Sequence, residues 1–100
     1  MESKEIVAKI GEIIDKAAEF RNAYFFTSPG NAAGRRSYER KNSIPMVEWS
    51  ENGHTYTAEF SVSCSCANVY ASGKYTKDGA RTTLTAIKNS YKRMAAALEA

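Results

Sequence analysis

The 100 residues include only two cysteines, one histidine and two prolines, and no apolar run approaches the roughly 20 residues that a membrane-spanning helix needs. Each scarcity excludes something. Cys64 and Cys66 lie two positions apart on what reads as extended chain, so they point to the same side and a disulfide between them is not expected. With His54 as the sole imidazole, a closed four-ligand zinc site of Cys and His cannot be assembled; neither a metal nor a cofactor is expected. The opening stretch MESKEIVAKIGEII lacks the apolar block of a secretion signal, which makes the cytoplasm the expected setting and a membrane an unexpected partner.

Catalytic signatures are equally sparse. The SGK of residues 72–74 lacks the upstream glycine of a phosphate-cradling loop, because Asn68 occupies its place, and Tyr75 stands where a magnesium-binding Ser or Thr belongs. His54 has no Asp in an arrangement that would orient it toward a nucleophile. A single domain of this length also buries too little surface for a deep enclosed active site, so binding is expected rather than catalysis.

What the chain does hold is unevenly placed positive charge. The net charge is +3, but by block it is −2 over residues 1–20, +4 over 21–43, −3 over 44–72 and +4 over 73–100. No Lys or Arg falls between 44 and 72. Clustering of this kind is the electrostatic footprint of a phosphate-bearing partner.

Periodicity supplies the elements. Ile6, Ile10, Ile13, Ala17, Phe20 and Tyr24 recur every three or four residues, predicting a first helix over about 4–24 with Ser3 as its N-cap. Residues 27–43, with Pro29, Gly30, Gly34 and the cations Arg35, Arg36, Arg40 and Lys41, show no period and predict a mobile basic loop. IPMVEWS reads as a strand with Val47 and Trp49 inward, and Asn52-Gly53 as a tight turn. The alternation of Tyr56, Ala58, Phe60 and Val62 with Thr55, Thr57, Glu59 and Ser61 marks a second, half-buried strand. VYASGKY supplies a third. Thr76 then caps a second helix whose positions Ala80, Leu84, Ile87, Tyr91, Met94 and Leu98 form one stripe.

The expected fold is therefore α+β, α-β-β-β-α, with both helices on one face of a three-stranded antiparallel sheet and a core of Trp49, Tyr56, Phe60, Val62, Leu84, Ile87 and Tyr91. On the expected second helix Lys77, Arg81, Lys88 and Lys92 line one side, and Lys77 and Arg81 fall in its first turns, where unpaired N–H groups favour anions. The polar sheet face carries Glu59, lacks a Lys or Arg and lacks an aromatic ladder, which argues against base stacking there.

The element order, with IPMVEW, NGH, AEFSVS and SGKYTKDGAR, resembles a double-stranded RNA-binding domain. Pro45, Val47 and Trp49 match that family's first strand, Gly53 and His54 its minor-groove loop, and Thr76, Lys77, Ala80 and Arg81 its phosphate-straddling helix start; Asp78 departs from the family lysine. The resemblance implies shape readout of a duplex backbone, RNA before DNA, with Glu12 or Lys16 of the first helix facing a minor groove. The expected site is then His54, Lys74, Lys77, Arg81 and Lys88, joined by the loop cations Arg35, Arg36, Arg40 and Lys41. The alternative is a small phage-type inhibitor or accessory protein that docks the same scaffold on a protein or nucleoprotein complex.

Overall fold

A computed structural model describes residues 2–100. The chain is α+β, with three α-helices and a four-stranded antiparallel sheet. Helix α1 spans Ser3–Glu19, α2 Ala32–Asn42 and α3 Leu84–Glu99; strands β1 to β4 span Ile44–Glu51, His54–Ser65, Asn68–Lys77 and Ala80–Arg81 in the order β1-β2-β3-β4. No helix among the described residues is long and apolar enough to cross a membrane.

The sheet is a meander because all three connections are two-residue turns that accept positive φ. Asn52 and Gly53 take φ of 54° and 80°, and Asp78 and Gly79 take 52° and 81°, the pattern that matches strand twist and favours Asn-Gly and Asp-Gly. Cys66 supplies the positive φ, 54°, between β2 and β3. In β2 the expected phase holds: Tyr56, Ala58, Phe60 and Val62 are buried while Thr55, Ser61 and Ser63 are exposed. Pairing of Ile44 with Phe60 but Val47 with Ala58 leaves one extra residue on β1. That bulge contains Pro45, which has no N–H to give a ladder and suits an irregular edge strand.

Helices α1 and α3 pack against each other on the apolar face of this sheet. Ile10 and Ile13 of α1 and Ile87 of α3 are wholly buried, over Trp49, Tyr56 and Phe60. Leu84 and Tyr91, expected in the core, are only partly buried at its margin. The Phe20 ring gathers Phe26, Tyr38 and Phe60 at centroid distances of 5.0, 6.3 and 6.0 Å, joining α1, the following segment, α2 and β2.

Four expectations are corrected. Ser3 is the first residue inside α1, and the capping position is Glu2, which makes no side-chain cap bond. The helix stops at Glu19 rather than near 24, because Arg21-Asn22 interrupt it with Asn22 at φ −121°, ψ 61°; Tyr24 then lies in a short 3-10 turn, Ala23–Phe25, and is 70% exposed. The basic stretch 27–43 is not a loop: Asn31 Oδ1 accepts from Gly34 N at 2.7 Å and starts α2. Finally, Thr76 lies inside β3, and the residues after it form the β3–β4 hairpin, so α3 begins eight residues later under Thr83, whose hydroxyl accepts from Ala86 N.

Helix α2 is held by polar contacts. Beyond Phe60, β2 has outrun β1, and α2 occupies the vacated edge: Ser43 Oγ accepts from Val62 N at 2.9 Å, and Glu39 Oε2 accepts from Cys64 N at 2.7 Å. Lys16 Nζ donates to the buried Asn42 Oδ1 at 2.8 Å.

Candidate nucleic-acid interface

The stretch SGKYTKDGAR is strand, turn and strand, so its cations divide by the period of two. Lys77 stands opposite Tyr56, on the helix-bearing face, with Nζ 5.9 Å from that ring's centroid. Lys74 pairs with Glu59 and Arg81 with Thr76, on the open face. Lys77 and Arg81 therefore neither share a surface nor lie at a helix start, and the true first turn of α3 carries no charged residue. The Asp-Gly pair between short alternating segments was the readable signal, identical in kind to Asn52-Gly53.

His54 is engaged by the neighbouring turn. Its Nδ1 lies 2.7 Å from Asp78 Oδ2, while Thr55 N donates to Asp78 Oδ1 at 2.9 Å and Asp78 N donates to Thr55 O at 2.7 Å. The Thr55 N–H and then His54 hold the Asp78 carboxyl below its usual range. Asp78 thus ties two turns together, and His54 belongs to that tie.

The remaining expected residues also separate. Lys88 is exposed on α3, on the helix side. Lys41 shares a groove with Lys9, Glu12 and Lys16 of α1, where Lys16 is already bonded to Glu19 and Asn42. Arg35 is half-buried in α2. Arg40 points the other way, into a shallow groove with Pro45, Glu59 and Ser61 at the border of the open face, and Arg36 lies one turn earlier on the same exposed side of α2.

The open face is accordingly the place where cations gather. Thr55, Thr57, Ser61 and Ser63 of β2 and Ser72 and Thr76 of β3 cover it with hydroxyls, the Thr57 and Thr76 hydroxyls being hydrogen-bonded to each other. Arg36 and Arg40 stand on one flank, Lys74 and Arg81 on the other, and among the described residues none of the four is in an ion pair. By contrast Arg93 is spent on structure, with Nε and Nη2 donating to the Glu51 carboxylate at 2.9 and 2.8 Å. The expectation of a sheet face without Lys or Arg is overturned: Lys74 of the expected third strand falls on that face, and Arg81 joins it because the residues after Thr76, expected to form a helix, belong to the sheet.

The class defined by these features is an α+β protein with an open, hydroxyl-rich, cation-flanked sheet face. No family model, curated protein or solved structure matches the chain.

Proposed function

We propose that the protein is a small nucleic-acid-binding module that engages a duplex backbone through its open sheet face. The observation carrying this reading is the placement of unpaired Arg36 and Arg40 on one flank and Lys74 and Arg81 on the other, with a field of Ser and Thr hydroxyls between them. The face is four strands wide, roughly 14 Å at about 4.8 Å per strand, so cations on its two flanks can meet separate phosphate rows of one duplex. Glu48 and Glu59 face the space between the rows, where base edges and sugars lie rather than phosphates. Duplex RNA is favoured, since its wide, shallow minor groove offers 2′-hydroxyls to the Ser and Thr side chains. Neither a cofactor nor catalysis enters this reading, and a cytoplasmic setting, in which Cys64 and Cys66 stay reduced, accords with it.

The resemblance to double-stranded RNA-binding domains points to the same kind of partner, but its helix-start match carries no weight here, since Thr76, Lys77, Ala80 and Arg81 lie on the β3–β4 hairpin. Docking on a protein or nucleoprotein complex is the second reading, favoured by the 70% and 74% exposure of Tyr24 and Phe25. A gel-shift panel of duplex RNA, duplex DNA and single strands at two salt concentrations separates them. Lys74→Glu with Arg81→Glu should weaken duplex binding about tenfold or more and lower the log–log salt slope by roughly 0.9 per lost phosphate contact. Lys77→Glu with Lys88→Glu, on the opposite face, should do neither. Equal losses from both pairs, or none from the first, would sink the sheet-face assignment.

A further inference from the structure

We infer that the edge of β3 bordering this face, at the end away from Arg81, carries a slot for an unpaired nucleobase, formed where the Ala23–Phe25 turn meets β3. This rests on the nucleic-acid reading above and names the form of substrate, a duplex that ends in or contains a single-stranded segment. Tyr24 and Tyr70 line the slot from the two elements, Ala23, Val69 and Ala71 give it an apolar floor, and Arg21 is the only charged residue beside it. The rings are free for contact, Tyr24 being 70% and Tyr70 55% exposed, and Phe25 lies 4.2 Å from Tyr24 between ring centroids, extending the aromatic surface outward.

Three properties select a base over another apolar occupant. Two exposed aromatic walls suit a planar π-system, as in single-strand binding surfaces. The single charge on the rim is a cation without an ion-pair partner among the described residues, complementary to the phosphate that accompanies a base. The slot also continues the proposed interface: Tyr70 and Lys74 are four residues apart on β3, on its open face, hence about 13 Å or roughly four base steps along a duplex. The sequence argued against stacking on this sheet because its polar face shows no aromatic ladder; the helix ending at Glu19 is what brings Tyr24 beside Tyr70.

The test compares a blunt RNA duplex with the same duplex bearing a four-nucleotide overhang that contains 2-aminopurine. The overhang should bind about five- to a hundred-fold tighter, with the 2-aminopurine fluorescence changing on stacking. Tyr24→Ala with Tyr70→Ala should abolish the preference and leave blunt-duplex affinity in place, while Tyr24→Phe with Tyr70→Phe should keep it. Absence of a preference in the parent, or its survival in the double alanine variant, overturns the slot. So does a dimer in sedimentation that the alanine variant dissolves, which would assign the rings to a second copy. If Lys74→Glu with Arg81→Glu lowers blunt-duplex affinity while no overhang preference exists, only the slot fails; if the charge reversal changes nothing, or neither RNA binds, the underlying reading fails with it.

Discussion

Among the described residues, Trp49 on β1 and Ser90 on α3 make the one buried side-chain hydrogen bond between the sheet and a helix, and its removal can be sized. The indole Nε1 donates to Ser90 Oγ at 2.9 Å, with Trp49 3% and Ser90 0% exposed. Ser90→Ala leaves the indole N–H without its partner in a site closed to solvent. An orphaned buried donor costs about 1–3 kcal/mol, and the better helix propensity of alanine returns at most about 0.5 kcal/mol. The net loss of roughly 1–2 kcal/mol corresponds to a fall in Tm of roughly 5–15 °C for a domain of this size. Circular dichroism melting measures it, and a mutant cycle isolates it. In a Trp49→Phe background no indole donor remains to be orphaned, so Ser90→Ala should there cost markedly less. An equal cost in both backgrounds, or none in the parent, would refute the assignment of the bond.

Two further outcomes follow from polar contacts. Ser43→Ala and Glu39→Ala should speed amide exchange at Val62 and Cys64, whose N–H groups they release, and loosen α2; exchange at those amides unchanged from the parent would show that α2 is held otherwise. The Asp78 carboxyl, with its pKa lowered by the Thr55 N–H and by His54, adds stability above the ordinary Asp range near ~4 and loses it as pH falls through its depressed value, so Asp78→Asn should flatten the acid limb of a stability-against-pH curve. An acid limb of unaltered slope in that variant would remove Asp78 from the account.

The parts of this fold legible in the sequence are those where burial writes a period. In β2 one face is core and the other open, so alternation from Tyr56 to Val62 fixed both strand and phase. Helix α2 was invisible for the opposite reason: it docks through Tyr38, Glu39 and Asn42, largely polar groups satisfied by specific bonds, and such a face leaves no apolar stripe. The error at 76–83 came from a stripe extrapolated backwards, since Ala80 falls four residues before Leu84 by coincidence and is exposed. That error misplaced the candidate site. Charge counting located the basic segments, but whether Lys74, Lys77 and Arg81 shared a surface depended on strand against helix, which decides between alternation and a common side.

The three two-residue turns also bear on the order of events in folding. Each sheet pairing joins segments adjacent in the chain, so the meander closes short loops, and isolated hairpins form in about 1–10 μs. Docking of α1 is different, because Ile10 and Ile13 must meet α3 residues more than seventy positions away, and such distant closure slows the search. The meander is therefore expected to be structured in the transition state while α1 is still detached. Gly53→Ala, which strains a residue at φ 80°, should mainly slow refolding, and Ile10→Val should mainly hasten unfolding. Refolding slowed as much by the helix substitution as by the turn substitution would place α1 in the nucleus instead.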